Sequence, residues 1–139
     1  MAERVLVLAQ DLIWADRLAR TVTEAGGVPM RLSSEVALAS ALGEAGDGGP
    51  DATAPTFVII DLTARAYDPF AAIERANSAG AHCLAVGQHD DVAQRKRALA
   101  AGADRVLAYR KLFEDGPTTI RTWLDRAAVA SAAPAASTT

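Results

Sequence analysis

Five short apolar runs, each followed by a segment of helical period, leave this chain few folds to choose from. Val5-Leu6-Val7-Leu8 and Phe57-Val58-Ile59-Ile60 are apolar at every position, so a strand at either place must be covered on both faces. Between them, Leu18, Val22 and Ala25 recur at helical spacing over about Ile13 to Ala25, and Gly26-Gly27 ends the segment. Val28 to Leu32 reads as a second strand. Its Pro29 cannot donate to a central ladder and places the strand at a sheet edge. Ser33 or Ser34 caps the next helix, where Leu38 and Leu42 share a face, and Gly43 to Pro55 reads as a surface loop.

The third strand runs from Thr56 to Asp61, and Asp68-Pro69 supplies an N-cap with proline in the first turn of a helix that turns Phe70 and Ile73 inward. Ala81 to Val86 is the fourth strand. Asp90 or Asp91 opens a helix carrying Val92 and Leu99, which stops at Gly102. Arg105 to Tyr109 is the fifth strand. Asp115 and Pro117 open the last helix, with Ile120, Trp123, Leu124 and Ala127 as its inward stripe. Strand and helix alternate five times, and right-handed crossovers turn that pattern into an α/β fold, a doubly wound five-stranded parallel sheet with helices on both faces. A flavodoxin-like strand order, 2-1-3-4-5, puts the proline-bearing second strand at an edge. Residues 1–130 form one domain in this reading, and 131–139, Ser-Ala-Ala-Pro-Ala-Ala-Ser-Thr-Thr, a disordered tail.

Charge and composition exclude several roles. The net charge of −3 conceals an asymmetry, with eight Lys/Arg against five Asp/Glu in 91–139 and six against twelve in 1–90. The basic excess lies around Arg95, Lys96, Arg105, Arg110 and Lys111. It lacks the strongly basic balance and aromatic interleaving of a nucleic-acid surface and is equally the solvated face of a helix. No apolar stretch approaches the roughly 18 residues of a membrane span, and the N-terminus lacks a signal-peptide layout. The expectation is a cytoplasmic protein. The single cysteine, Cys83, cannot form an internal disulfide and fits a reducing compartment.

Asp61 closes the most apolar run, which places a carboxylate at the carboxyl end of a buried strand, where open α/β sheets carry their chemistry. Val58-Ile59-Ile60-Asp61-Leu62, with Ala98-Leu99-Ala100-Ala101-Gly102-Ala103-Asp104 before the fifth strand, resembles the receiver domain of two-component response regulators over nearly the whole chain. The resemblance makes Asp61 the phosphoacceptor position. That chemistry needs Mg²⁺ held by the acceptor and by two acids after the first strand, a hydroxyl ending the fourth strand and a lysine ending the fifth. Here the acid positions are Ala9 and Gln10, with one carboxylate displaced to Asp11, which serves equally as a helix cap. The hydroxyl position is Gly87 and the lysine position Tyr109. With its partners gone, Asp61 is expected to cap a backbone amide or pair with Arg65 or Arg110, while Tyr109 fills the space a lysine leaves.

Other constellations carry less. His89, Asp90 and Asp91 could approach Asp61, but a metal site is not expected there, nor at His82-Cys83, whose side chains face opposite sides of a strand. Trp14 either stacks on a partner at the active end or packs on the Gly43–Pro55 loop, and Trp123 belongs to the core. The combined expectation is a degenerate, pseudo-receiver module without enzymatic activity or cofactor. It would contact a protein partner or itself as a homodimer through the fourth helix, fifth strand and fifth helix. A working phosphoacceptor at Asp61 with Mg²⁺ on Asp11 and Gln10, and a small-ligand sensor around Ala9, Gly87 and Tyr109, are the alternatives.

Overall fold

A computed structural model of the chain describes residues 3–45, 55–88 and 90–132. Five strands, β1 (Arg4–Leu8), β2 (Val28–Leu32), β3 (Phe57–Asp61), β4 (His82–Gly87) and β5 (Arg105–Ala108), alternate with five helices. These are α1 (Leu12–Glu24), α2 (Glu35–Ala45), α3 (Pro69–Ser78), α4 (Val92–Ala101) and α5 (Tyr109–Ala132). The sheet is parallel in the order β2-β1-β3-β4-β5. Pro29 lies in β2 at the edge, paired with β1, where its missing N–H is tolerated.

Alternation along the central strands divides the core between two layers. Val5, Val7, Phe57, Ile59, Leu84 and Val86 face α1 and α5, against Leu18, Val22, Ile120, Trp123 and Leu124. Leu6, Leu8, Val58, Ile60, Cys83 and Ala85 face the other way, against Leu38, Leu42, Ile73, Ala76 and Ala98. The same parity carries Asp61 to the side of Phe57 and Ile59, so its carboxylate emerges beneath α1 and α5. The sequence therefore settles which layer meets the acid.

Helix ends follow the sequence cues. Asp11 caps α1, Asp68 caps α3 with Pro69 in the first turn, and Asp91 caps α4. Gly102 ends α4 in the left-handed conformation at φ 119°, which a side chain would resist.

Three expectations need correction. β5 stops at Ala108, and Tyr109 instead begins an unforeseen helical turn, because α5 has two parts joined at Asp115 (φ −153°, ψ 34°). The second part opens where Pro117 can sit without losing a bond. Val92 and Leu99 do not hold α4 to the sheet. They are exposed, and the small Ala98 makes the buried contact. Trp14 packs on Tyr109 and Phe113, and most of the loop offered as its alternative neighbour lies outside the described residues. α2 continues to Ala45, past the Gly43 at which that loop was expected to begin. Residues 46–54, His89 and residues 133–139, which include most of the expected tail, lie outside the described residues.

Candidate functional site at the carboxyl ends of the strands

Asp61 is 1% exposed and carries the site. Its Oδ1 accepts from the Thr63 backbone N–H at 2.9 Å, from the Thr63 hydroxyl at 2.8 Å and, at very short range, from the Tyr109 hydroxyl. The Thr63 and Tyr109 hydroxyls also lie 2.9 Å apart. Two hydroxyl protons serve these three oxygen–oxygen contacts, so the carboxylate is caged by neutral donors. Neither Arg65 nor Arg110 reaches it. Arg110 pairs instead with Glu114, at 3.0 Å one helical turn on. The backbone-capping part of the expectation holds in the Thr63 contact. Asp61 Oδ2 is buried and finds no donor among the described residues.

Tyr109 stands where the resemblance places a lysine. Its ring is buried and stacks on Trp14 with centroids 3.8 Å apart, and Phe113 meets the other edge of Trp14 at 5.7 Å. Burial pushes the phenol well above its ordinary range and the bond to Asp61 pushes further, so the hydroxyl remains a neutral donor at physiological pH. A second phenol, Tyr67, bridges the backbone carbonyls of Leu8 and Asp61 at 3.0 and 2.9 Å. Burial drives its acidity down in the same way, with the Asp61 charge reinforcing it. This tyrosine gave no sequence signal, because an aromatic after a turn is ordinary loop composition.

The residues after β1 are equally altered. Ala9 is buried in the core, its backbone N–H bonded to the Leu32 carbonyl. Gln10 Oε1 accepts from the backbone N–H groups of Arg65 at 2.7 Å and Ala66 at 2.9 Å, tying the loop after β1 to the loop after β3. Asp11 Oδ1 caps α1 through the N–H groups of Ile13 and Trp14. At the end of β4, a Cβ added to Gly87 would lie 2.6 Å from Gln94 Oε1 and 3.2 Å from Leu62 Cδ1. The Gln94 amide, which donates to the Leu62 carbonyl at 3.3 Å, thus occupies the room a hydroxyl side chain would need. Of the pocket expected around Ala9, Gly87 and Tyr109, the part beside Gly87 is taken by Gln94. An open cleft of about 340 Å³ lies instead on the Gln10 side, lined by Gln10, Asp11, Asp61, Thr63, Ala64 and Arg65.

The residues present do not fit the magnesium site of a receiver. Mg²⁺ demands near-octahedral oxygen ligands. Ala9 supplies no side-chain oxygen, and Gln10 Oε1, Asp11 Oδ1 and Asp61 Oδ1 are engaged with N–H and O–H donors. That leaves the second oxygens of the two aspartates as the only carboxylate ligands on this side among the described residues, short of an octahedral set. Among the described residues no group of three or more His, Cys, Asp or Glu could hold a metal ion. Cys83 is buried, and burial raises its thiol far above the range of a reactive thiolate.

The basic residues singled out by composition are spread over α4, β5 and α5. Arg95 and Lys96 are exposed on α4, Arg105 is half-buried at the start of β5, and Arg110 and Lys111 lie on the first turn of α5. Lys111 faces Asp115 at 3.8 Å.

A five-stranded parallel sheet in this order, with an aspartate ending the third strand, is the fold of the response-regulator receiver domain. The chain is similar to a pilus assembly-related protein from Burkholderia pseudomallei, with 28% identity over 95% of this chain and 92% of that one, at a TM-score of 0.66. It shares the fold of the signal receiver domain of a LuxO repressor protein from Vibrio parahaemolyticus (16% identity, 91% and 93% covered, TM-score 0.68). It shares it also with a response regulator from Thermotoga maritima (12% identity, 90% and 99% covered, TM-score 0.69). No protein-family model and no curated protein matches the sequence. No helix among the described residues is long and apolar enough to cross a membrane.

Proposed function

We propose that this receiver-fold chain is a pseudo-receiver, a protein-interaction module that works without phosphoryl transfer to Asp61 and without enzymatic activity. The observation that carries the reading is the Tyr109 hydroxyl on Asp61 Oδ1. A phosphoryl group on Asp61 would displace that neutral donor and would find neither a lysine nor a magnesium cradle to offset its charge.

The contact surface fits α4. Val92, Arg95, Lys96 and Leu99 fall at helical spacing along one stripe, and all four are exposed. A pair of cations flanked by an apolar residue on either side suits an acidic partner protein, or a second copy meeting the stripe across a two-fold axis. The likeness to the Burkholderia protein supports a place in pilus assembly, and the protein is assigned to the cytoplasm.

The test is incubation with acetyl phosphate and Mg²⁺, read by intact mass. No mass should be added, whereas an ordinary receiver run alongside should gain a phosphoryl group. A phosphoryl increment that vanishes in Asp61→Ala would overturn the reading.

A further inference from the structure

The geometry points to a small-molecule site in the cleft beside Asp61, built for a zwitterion that carries a primary ammonium and a carboxylate, an amino acid in the simplest case. The site rests on the reading that Asp61 takes no phosphoryl group, which would occupy the same oxygens.

Three features of the cleft converge on that chemistry. Asp61 lines it and is 1% exposed, yet its Oδ2 finds no donor among the described residues, although Oδ1 has three. A buried carboxylate oxygen without a donor is costly, and an N–H group arriving from a ligand would recover that cost. Asp11 also lines the cleft. Both of its capping bonds fall on Oδ1, so Oδ2 is uncommitted among the described residues. An ammonium has three freely rotating donors and imposes no ligand angles, so it can serve two carboxylate oxygens without the near-octahedral set that Mg²⁺ demands.

Arg65 supplies the opposite charge. Its side chain is exposed, lines the same cleft and makes no ion pair among the described residues. Its backbone N–H is pinned by Gln10, which fixes the position of this rim. A guanidinium fork takes a carboxylate through two parallel bonds. A ligand with both charges satisfies both walls, while a simple cation is repelled by Arg65 and a simple anion by the two aspartates. The volume of about 340 Å³ suits a molecule of amino-acid size.

The experiment titrates the ¹⁵N-labelled full chain with each standard amino acid, with methylamine and acetate as half-probes, and separately with MgCl₂, reading amide shifts. At least one amino acid should give saturable shifts at Thr63, Ala64 and Arg65, with smaller shifts from either half-probe. Asp61→Asn should abolish the shifts. Arg65→Ala, an exposed substitution that leaves the fold intact, should weaken binding about tenfold or more. A blank titration at millimolar concentrations would overturn the site. So would binding indifferent to both variants, or equal shifts from MgCl₂ that compete with the amino acid. A phosphoryl adduct on Asp61 would defeat the interaction reading, whereas a blank titration with no adduct would defeat this site alone.

Discussion

Tyr109 sets a neutral hydroxyl against Asp61 at the position where the resemblance implies a lysine, and it does so from the first turn of a helix instead of the end of a strand. The consequence is a carboxylate held by hydroxyls and an amide, with the Trp14 ring stacked over the tyrosine. Tyr109→Phe keeps the stack and removes one donor from Asp61. The expected loss is about 1–3 kcal/mol of stability, because a buried oxygen is left less well satisfied. Urea denaturation of the two proteins measures it, and an unchanged midpoint would mean that the Thr63 contacts suffice. The sequence exposed this site by subtraction. Ala9, Gln10, Gly87 and Tyr109 depart from the residues that the resemblance implies at those positions, and the parity of β3 aims Asp61. What surrounds Asp61 was less legible, since the Tyr67 bond to Leu8 and the Gln94 bond to Leu62 join segments far apart in the chain, whereas Thr63 lies only two residues from the acid. Nothing local marks a glutamine on α4 as the filler of the space at Gly87.

The elements are joined at both ends of the sheet by side chains that belong to loops or helix flanks. At the carboxyl end, Gln10 clasps the loop after β3 through two backbone amides. Gln10→Ala should cost about 1 kcal/mol and speed hydrogen exchange at Arg65 and Ala66 more than elsewhere. Amide exchange followed by NMR decides whether the effect is local.

Near the amino end, Arg121 of α5 holds Glu3 just before β1 and also bonds the Ala25 carbonyl at 3.1 Å and Asp125 at 2.7 Å. The Arg121 guanidinium lowers the Glu3 pKa below its ordinary 4.5. The pair's contribution is therefore complete above the unfolded value and fades as pH falls through the lower folded one. Glu3→Gln should reduce stability at neutral pH and flatten the acid limb of the stability–pH curve, as thermal melts at successive pH values would show. Elements themselves were largely legible, because β1 and β3 are apolar throughout and the caps Asp11, Asp68 and Asp91 announce their helices. The kink at Asp115 and the extra turn from Tyr109 were not, because Arg110-Lys111-Leu112 suits a strand end and a helix start alike.

Across the whole molecule, the two-layer core is ordinary and the surface carries the distinction. If the α4 stripe mediates self-association, Leu99→Asp should shift the chain from dimer to monomer in sedimentation velocity while leaving its melting temperature nearly unchanged, since Leu99 is 47% exposed. A monomer before the substitution would leave the stripe to an acidic partner. The strand order was readable from Pro29 and the five-fold alternation, whereas surface pairing depends on how a second molecule meets the exposed side chains, which local periodicity does not report. The two tryptophans, finally, lie at opposite poles of the sheet. Trp14 stacks half-buried over Tyr109, and Trp123 is buried with its indole N–H on Asp104 at 3.3 Å. Their intrinsic fluorescence should therefore respond separately. Quenching by acrylamide will reach Trp14 first, giving an unlabelled optical signal for events at Asp61 against a Trp123 background that changes only on unfolding.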